Sequence, residues 1–297
     1  MTGTDEGATQ ISGVIPPLFR ASTQDDDSVA QMVVLLDVQD ALPSARRLHE
    51  WAIEAAAVRP GDQVVDLGSG TGTLSRQLAG LVGPGTSTTK GAMGWVTGVE
   101  PNERLRALAA SRAESDGVPN VSFVNGLAGA LPFEASSVDL VWCERLLQHL
   151  NDPQAAIDDI ARVLRPGGRV VLLDADQGTR IVSDIDPNVA SAFIQASLAS
   201  VANPYAARHI PGQVRRAGLA LDPDVGSSAF VFSSEVLLRT QVLRRAADDA
   251  IESGQIAREV AEAAVKTVHD AAERGDAFAA ITVFGFLARK LDKSPLE

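Results

Sequence analysis

Residues 62–73, DQVVDLGSGTGT, end an apolar run at Asp66-Leu67 and then place glycine at positions 68, 70 and 72. Glycine lets the backbone approach a ligand closely, and a helix that begins there offers backbone N–H groups without helical partners. The segment therefore predicts a ligand-binding turn between a strand and a helix. A P-loop is excluded because no lysine follows the glycines. The dinucleotide fingerprint is disfavoured because the third glycine comes one step early, at Gly72.

Side chains that bind metal ions are scattered along the chain. His49, His209 and His269 lie far apart, with no paired Cys, His or carboxylate spacing that is typical of a metal site. The single cysteine, Cys143, falls in an apolar segment that predicts a buried strand, and it cannot form an internal disulfide. We therefore expect no metal site, and the cysteine content fits a reducing compartment.

Alternating strand and helix patterns surround the glycine turn, and they predict a parallel sheet covered on both faces. In such a sheet, ligands bind beyond the carboxyl ends of the strands, where the glycine turn lies. Asp152-Pro153 predicts the start of one covering helix, since Asp can cap it and Pro suits its first turn. The expected strands are residues 63–67, 94–100, 121–125, 138–143, 169–174, 226–233 and 278–288.

The composition excludes several classes of partner. At 297 residues, with 45% hydrophobic and 22% charged residues, the chain is typical of globular proteins. The formal net charge of −12 opposes nucleic-acid binding, which depends on Lys and Arg neutralising phosphates. No apolar run reaches the roughly 18 residues of a membrane helix, and the first residues do not resemble a signal peptide. We expect a cytoplasmic protein without nucleic-acid or membrane partners, for which a homo-oligomer is possible.

Four segments together resemble the motifs of class I S-adenosylmethionine-dependent methyltransferases. They are VVDLGSGTG at 64–72, VTGVEP at 96–101, LPFEASSVDLVWCERLLQHLNDP at 131–153 and LRPGGRVVLLD at 164–174, in the family's order and spacing. The resemblance covers roughly residues 50–175. It implies S-adenosyl-L-methionine as cofactor, and an α/β, Rossmann-like class I methyltransferase sheet, mostly parallel with an antiparallel last strand, under a helical cap.

The resemblance also implies cofactor contacts. Backbone atoms of Gly68, Ser69 and Gly70 should approach the methionine part of the cofactor, with Asp66 beneath as a direct or water-mediated partner of its amine. The carboxylate of Glu100, at the end of the second strand, can accept hydrogen bonds from the ribose hydroxyls. The full expected cofactor-binding set is Asp66, Gly68, Ser69, Gly70, Gly72, Glu100, Pro101, Asn102, Gly126, Leu127 and Ala128.

Leu127 departs from the family's pattern. Many relatives have Asp at this position, whose carboxylate accepts from the adenine amino group, and leucine cannot do so. Backbone groups of Leu127 and Ala128 remain available for the adenine, and Pro101 and Asn102 should flank it.

Two side chains near the end of the fourth strand are candidate catalytic residues. His149 is the candidate general base, because histidine titrates near neutrality and this one resembles a histidine that small-molecule relatives place near the acceptor. A histidine held by packing at a helix start is the alternative. Glu144 is a candidate contact of the cofactor's methionine part or of the acceptor. A base is needed only if the attacking atom holds a proton at working pH.

Further polar residues lie near the same sheet edge. Asp174, Asp176 and Gln177 leave the fifth strand there, so some of them are candidates for the acceptor pocket. Arg46 or Arg47 could reach the cofactor carboxylate from the N-terminal helices, but solvated charges on a helix surface are favoured.

The domain organisation follows from these segments. We expect a flexible tail at 1–27, N-terminal helices that form a lid at 28–58, and the cofactor-binding core at 59–177. Cap insertions at 178–207 and 235–274 flank a core continuation at 208–234, and 275–297 holds the last core strand and a tail. The Gly-, Ser- and Thr-rich segment 83–94 predicts a surface insertion, because it exceeds the usual length of a helix-to-strand connection.

The chain resembles the small-molecule branch of the family, which contains quinone, sterol and natural-product methyltransferases, but it has no additional quinone-type signature before the glycine turn. The resemblance implies methyl transfer to a small, partly apolar metabolite beneath the cap, in specialised (natural-product) metabolism. The acceptor atom is left open between C, O and N. Two alternatives remain: an NAD-type oxidoreductase, which would need the glycine turn to hold a pyrophosphate, and a non-catalytic module that binds S-adenosylmethionine.

Overall fold

The computed structural model of the chain describes residues 26–83 and 93–292. The predicted N-terminal tail, apart from its last residues, and most of the predicted insertion at 83–94 lie outside these ranges. Within them, no helix has both the length and the apolar character that crossing a membrane requires.

One sheet forms the centre of the described chain. Its strand order is β3-β2-β1-β4-β5-β7-β6. The strands are β1 (Gln63–Leu67), β2 (Trp95–Val99), β3 (Val121–Val124), β4 (Val138–Glu144), β5 (Leu164–Val182), β6 (Ala220–Ser233) and β7 (Phe278–Arg289). Neighbours from β3 to β5 pair in parallel, whereas β7 runs antiparallel to both β5 and β6. The predicted mostly parallel sheet with an antiparallel last strand is confirmed.

The helices of the described chain alternate with the strands and then form a cap. They are α1 (Asp26–Ala41), α2 (Pro43–Ala56), α3 (Thr73–Val82), α4 (Glu103–Ser115), α5 (Pro153–Val163), α6 (Pro187–Ala199), α7 (Ala206–Arg216), α8 (Ser234–Arg239), α9 (Val242–Glu252) and α10 (Arg258–Glu273). A short 3-10 turn, Leu147–His149, follows β4. The predicted Asp152 cap is confirmed, because its side chain accepts from the Ala155 N–H at 3.0 Å.

One predicted helix is broken in the structure. The spacing of Val236, Thr240, Leu243 and Ala247 predicts a continuous helix, but α8 ends at Arg239 and Thr240 is extended (φ −117°, ψ 156°). The Thr240 hydroxyl donates to the Val236 carbonyl at 2.9 Å, which is the acceptor that a continuing helix would offer to the Thr240 N–H. Threonine competes in this way with helical hydrogen bonds.

The two faces of the sheet are covered by different helices. On one face, α5 and α7 bury residues such as Ile157, Ile160 and Ile210 against the sheet. On the other face, α2 and α3 contribute Leu48 and Leu78. This arrangement leaves the carboxyl ends of β1, β2 and β4 open for a ligand, as predicted for a sheet of this kind.

Trp51 fixes α2 on the sheet. An added Cβ at Gly226 would lie 2.3 Å from the Trp51 ring, and one at Gly285 would lie 2.5 Å from it. Only glycine leaves room for the indole at these two strand positions. The indole N–H donates to Asp224 Oδ2 at 2.9 Å, so the ring is held at both its apolar and polar parts.

The cap rests on an extension of the sheet. β5 was expected to end at Asp174 but continues to Val182, because Ile181 and Val182 pair with Ala280 and Ala279 of β7. This long-range pairing, which no local pattern indicates, turns part of the predicted cap insertion into strand. Helices α6, α9 and α10 lie over the extension with a small core of their own, comprising Phe193, Ala196, Ala247, Ala250, Ala261 and Ala264.

Candidate active site

The glycine turn is bound to the end of β2. Gly68, Gly70 and Gly72 have φ angles of 81°, 51° and 73°, a region that side chains strongly disfavour. The N–H groups of Gly68 and Ser69 both donate to the Val99 carbonyl, at 2.8 and 3.2 Å. The turn is therefore fixed against the neighbouring strand.

Glu100 lies directly beside this turn. Its two carboxylate oxygens accept from the Gly70 N–H at 3.2 Å and from the Asn102 N–H at 2.9 Å. The side chain is buried, and burial raises the pKa of Glu100, opposed by these two backbone N–H groups. A carboxylate has about four lone-pair sites, so Glu100 retains acceptor capacity for a ligand's hydroxyls.

Asp66 lies beneath the turn at the end of β1. It is buried, and its Oδ2 accepts from the Ser75 hydroxyl at 2.5 Å. Burial raises the pKa of Asp66 to about 7, with nearby carboxylates of Glu144 and Asp40 adding to the effect. The group is thus poised to ionise when a cation binds next to it.

A charged cluster lies at the end of β4. Glu144 Oε2 is 2.7 Å from His49 Nε2 on α2, and Glu144 Oε1 is 3.2 Å from Arg145 Nε. Burial alone would raise the pKa of Glu144, but the charges of His49 and Arg145 outweigh it and lower that pKa to about 2. The reciprocal interaction raises the pKa of His49 in spite of its burial. Glu144 is therefore a fixed anion at physiological pH.

Arg145 also connects the cluster to α1. Its guanidinium donates to Asp40 Oδ1 at 2.7 Å and to Gln39 Oε1 at 2.6 Å. A second attachment lies farther along the helix, where Arg112 of α4 binds both carboxylate oxygens of Asp37 at 2.7 and 2.8 Å. Helix α1 is thereby held across the glycine turn, and its role as a lid stays a prediction.

A cavity of about 650 Å³ joins these groups. It runs from the glycine turn, beneath α1, to the inner faces of α6 and α9. Of the predicted site residues, those that line it are Asp66, Gly68, Ser69, Gly70, Glu100, Pro101, Asn102, Glu144 and His149. The predicted cofactor and acceptor residues are thus largely brought together around one space.

Four predicted cofactor residues are not part of the cavity lining: Gly72, Gly126, Leu127 and Ala128. Gly72 packs inward, since an added Cβ would lie 2.7 Å from Phe123 and 2.8 Å from Ala109. Leu127 is 61% exposed and accepts from the Ala130 N–H in a tight turn. A contact of these residues with the adenine stays a prediction.

The three polar residues of β5 that were candidates for the acceptor pocket, Asp174, Asp176 and Gln177, have different positions. Asp174 is buried and accepts from the N–H groups of Ala175 and Gln148, so it caps the 3-10 turn and does not line the cavity. Asp176 is bound by Arg208 through both oxygens, outside the cavity. Gln177 alone of the three lines it.

His149 lies in the cavity wall within the 3-10 turn. Burial, with a smaller contribution from the charge of Arg145, lowers the pKa of His149 to about 4. Its imidazole is therefore neutral at physiological pH.

Sequence reasoning missed several residues of this site. In the sequence, His49 counts among the scattered histidines and Arg145 is not singled out, because no local pattern distinguishes their long-range contacts from those of solvated charges. Arg46 and Arg47 are exposed and do not line the cavity, in agreement with the favoured solvated positions. Cys143 is buried, as expected, and burial raises the pKa of its thiol.

One group of described residues has the composition of a metal site. Ligand atoms of His269, Asp270 and Glu273 on α10 lie within 4.8 Å of one another. The group is largely exposed and outside the cavity, and Asp270 is already paired with Lys266 at 2.5 Å. Such surface clusters are ordinary features of charged helices.

Residues 65–172 match the family described as a methyltransferase domain. This chain contains a class I S-adenosylmethionine-dependent methyltransferase domain. The glycine turn, Asp66 and Glu100 all lie inside the matched segment, so the motif resemblance and the family match concern the same residues. S-adenosylmethionine is accordingly the cofactor, and the oxidoreductase alternative is not supported.

Three comparisons place the methyltransferase domain among known proteins. An uncharacterized 37.1 kDa protein in transposon TN4556 of Streptomyces fradiae is 27% identical over 265 residues, covering 89% of this chain and 73% of that protein. The ubiquinone/menaquinone biosynthesis C-methyltransferase UbiE of Shewanella piezotolerans is 33% identical over 130 residues, covering 43% and 49%. A SAM-dependent methyltransferase structure from Aquifex aeolicus has a TM-score of 0.52 at 14% identity, covering 91% and 100%, which shows likeness of fold.

The chain spans only about half the length of the UbiE proteins that it matches. The cap helices α6, α8, α9 and α10 lie beyond residue 172, where the domain match ends. The family match therefore bears on the cofactor half of the cavity and leaves the acceptor half to be inferred from its own residues.

The residues around the turn fit S-adenosylmethionine. Asp66 offers a carboxylate for the methionine amine, Glu100 offers acceptors for the ribose hydroxyls, and both line the cavity beside glycines without side chains. These are the donor and acceptor types that a charged amino acid joined to a nucleoside requires. When bound, the cofactor supplies an activated sulfonium methyl group.

Cofactor affinity should rise with pH. Below about pH 7 Asp66 is protonated and neutral, and binding a cationic amine requires loss of that proton. We expect the affinity for S-adenosylhomocysteine to increase by about tenfold from roughly pH 5.5 to 7, since one proton is released per ligand. Isothermal calorimetry at several pH values measures it.

Asp174 provides the matched control for this pH dependence. Burial also raises its pKa to about 7, but it does not line the cavity. Asp66→Asn should abolish the pH dependence, while Asp174→Asn should keep it. An unchanged dependence in Asp66→Asn would refute the assignment of Asp66 to the cofactor's amine.

Proposed function

We propose that this chain transfers the methyl group of S-adenosylmethionine to a small, partly apolar metabolite in specialised metabolism. The observation that carries the proposal is the single continuous cavity of about 650 Å³ that reaches from the cofactor turn to the cap. Because α1, α6 and α9 cover this space, a small molecule suits it better than a macromolecular acceptor.

The lining of the acceptor half supports an apolar body for the metabolite. Beneath the cap the wall is formed mainly by apolar side chains, including Phe193, Ile194, Leu237, Leu243 and Phe230. The relative UbiE is a C-methyltransferase of ubiquinone and menaquinone biosynthesis, which agrees with a small-molecule acceptor. A cytoplasmic location and a homo-oligomeric state stay predictions.

The protein's part in the reaction is alignment and exclusion of water. Holding the nucleophile next to the methyl group in a closed space is worth about 7 to 11 kcal/mol relative to free encounter. Glu144, fixed by His49 and Arg145, keeps a negative charge at the cavity wall near the methionine end of the site. Its low pKa of about 2 makes it an electrostatic element and a poor proton acceptor.

His149 is the residue that can take a proton from the acceptor. It is neutral at physiological pH because its pKa is about 4, so it needs no prior deprotonation. A base this weak is effective only when the attacking atom is itself acidic or loses its proton late, as Brønsted behaviour requires. We expect His149→Asn to lower kcat about 100-fold for such acceptors and to leave cofactor affinity unchanged.

Methyl transfer is tested with cofactor labelled in its methyl group. Purified chain is incubated with pools of low-molecular-weight metabolites, and label transfer and S-adenosylhomocysteine formation are followed together. The proposal requires both to appear in the same pools and to depend on the chain. Cofactor binding without label transfer to any pool would instead favour the non-catalytic binding module.

A further inference from the structure

Arg180 lies in the acceptor half of the cavity, on the last part of β5. That part of the strand is the extension that pairs with β7, with Ile181 opposite Ala280. The side chain lines the cavity among apolar neighbours that include Phe193, Ile194 and Leu243. It keeps some accessible surface, as a cavity-lining group must, but surrounding protein desolvates it and lowers the pKa of Arg180.

A chain of amides orients the Arg180 guanidinium. Its Nε donates to Gln177 Oε1 at 2.6 Å, and Gln177 Nε2 in turn donates to Gln148 Oε1 at 2.5 Å. Gln148 is itself held, because its backbone N–H donates to Asp174 Oδ2 at 3.2 Å. The fixed Nε contact leaves the two terminal nitrogens, which carry four N–H donors, for another partner.

Arg180 differs from Arg145 and Arg169 in its lack of an anionic partner. Arg145 is paired with Glu144 and Asp40, and Arg169 is paired with Asp62. Among the described residues, by contrast, no carboxylate lies within 4.0 Å of the Arg180 side chain, and its terminal nitrogens have no hydrogen-bond partner. A desolvated cation without a counter-ion is costly, so such a group indicates a ligand that completes it.

Two carboxylates limit the kind of anion that fits. Asp248 and Asp249 of α9 also line this part of the cavity, and Asp249 is close enough to Arg180 to affect its pKa but does not pair with it. A phosphate or pyrophosphate would place two or more negative charges next to these carboxylates, and the one guanidinium of Arg180 would not neutralise them. A carboxylate brings a single charge, and its two oxygens match the planar fork of arginine.

We propose that the acceptor of this methyltransferase is an amphiphilic carboxylic acid, whose carboxylate binds the terminal nitrogens of Arg180 while its apolar body fills the cavity beneath α6 and α9. This inference rests on the proposed function, of which it names the substrate class. The acidic group is then the anchor that orients the rest of the molecule toward the cofactor.

The test compares carboxylic acids with amides of the same shape. Decanoate with decanamide and hydrocinnamate with hydrocinnamide are titrated into the chain saturated with S-adenosylhomocysteine, by calorimetry. At least one acid should bind about tenfold or more tightly than its amide, since the lost contacts are charge-assisted hydrogen bonds. Arg180→Met should remove the preference, and Arg180→Lys should recover only part of it.

Two other arginines serve as controls. Arg245 lines the cavity but donates to Gln31 Oε1 at 2.6 Å, and Arg258 is exposed on α10 outside the cavity. Arg245→Met and Arg258→Met should keep the acid preference. The affinity of Arg180→Met for S-adenosylhomocysteine should remain within about twofold of the unchanged chain, which shows that the variant is folded, because Arg180 lies outside the cofactor half.

Three results would overturn the proposal: no acid binding more tightly than its amide, a preference that survives Arg180→Met, or a preference lost in Arg245→Met instead. The proposed function fails separately. If S-adenosylhomocysteine binds and acids are preferred but no label is transferred to any metabolite, methyl transfer is wrong while the carboxylate site stands.

Discussion

Glu100→Gln should weaken S-adenosylhomocysteine binding by about 100-fold. The Glu100 oxygens already accept from Gly70 N–H and Asn102 N–H, and their remaining lone pairs face the cavity part assigned to the ribose. A glutamine has one acceptor oxygen and one NH₂ donor, so one of the two backbone donors would face another donor. Charge-assisted hydrogen bonds contribute about 1.5 to 3 kcal/mol each, and losing one or two of them gives the expected factor.

Glu103→Gln is the matched control for this substitution. Glu103 lies three positions later in the first turn of α4, is exposed, and does not line the cavity. The substitution removes the same charge from the same part of the chain. The affinity of Glu103→Gln for S-adenosylhomocysteine should stay within about twofold of the unchanged chain, because exposed charges contribute little. Calorimetry on both variants decides the point. Equal effects of the two substitutions would mean that Glu100 acts only through net charge.

Thermal unfolding without ligand separates binding from folding in Glu100→Gln. The native state raises the pKa of Glu100, so ionised Glu100 opposes folding at pH values above its ordinary pKa. Removal of the charge should therefore compensate part of the lost hydrogen bonding, and the midpoint should change by only a few degrees. A large drop would assign the affinity loss to a damaged turn.

The sequence indicates that Asp66, the glycines and Glu100 lie together, because these residues are local in the chain; their contacts with the cofactor stay predictions. Asp66 and Glu100 each follow an apolar strand directly, and the glycines follow Asp66 within six positions. The carboxyl ends of parallel strands lie at one edge of the sheet. The hydrophobic periodicity and the order of the strands along the chain are therefore enough to bring these residues together. The paired strands β1 and β2 confirm it, with Asp66 opposite Gly98.

The rest of the site depends on contacts between distant segments, which the sequence does not indicate. His49 reaches Glu144 across 95 positions, and Arg145 reaches Asp40 across 105. The extension of β5 that carries Arg180 exists only because β7 pairs with it from about 100 positions away. A histidine or arginine in a helix or strand has no local pattern that distinguishes such a contact from a solvated charge.

The same distinction applies to the cap. Helices α9 and α10 have apolar faces that the sequence pattern indicates. The pattern does not show that these faces pack together with Phe193 of α6, in the cluster that holds Ala247, Ala250, Ala261 and Ala264. The helix break at Thr240, whose hydroxyl donates to the Val236 carbonyl, is likewise not indicated by the spacing of apolar residues. The fold of the core is thus predictable from periodicity, and the shape of the acceptor pocket is not.

Arg145→Met should release α1 from the cofactor cleft. The Arg145 side chain is 17% exposed and is the contact between α1, through Asp40 and Gln39, and Glu144 at the end of β4. Without it, two largely buried carboxylates, on Glu144 and Asp40, lose their common cation. Removing one partner of a buried ion pair costs about 3 to 5 kcal/mol, and detachment of α1 is the local way to resolvate Asp40.

Hydrogen exchange and cofactor affinity measure this release together. Peptides from residues 28–41 should lose protection in Arg145→Met, while those from β1 and β4 keep theirs. Affinity for S-adenosylhomocysteine should fall by about 30-fold, because Met32, Leu35 and Leu36 of α1 form one wall of the cavity and a detached helix must close before it contributes.

Arg112→Met separates the buried attachment of α1 from the exposed one. Arg112 and Asp37 form two well-aligned hydrogen bonds, but their side chains are 29% and 38% exposed. A pair in that environment contributes about 1 kcal/mol or less, so Arg112→Met should lower the affinity by less than about fivefold and leave most protection of α1 intact. Equal losses in the two variants would show that α1 is held by the sum of its contacts and that burial of the Arg145 cluster adds nothing.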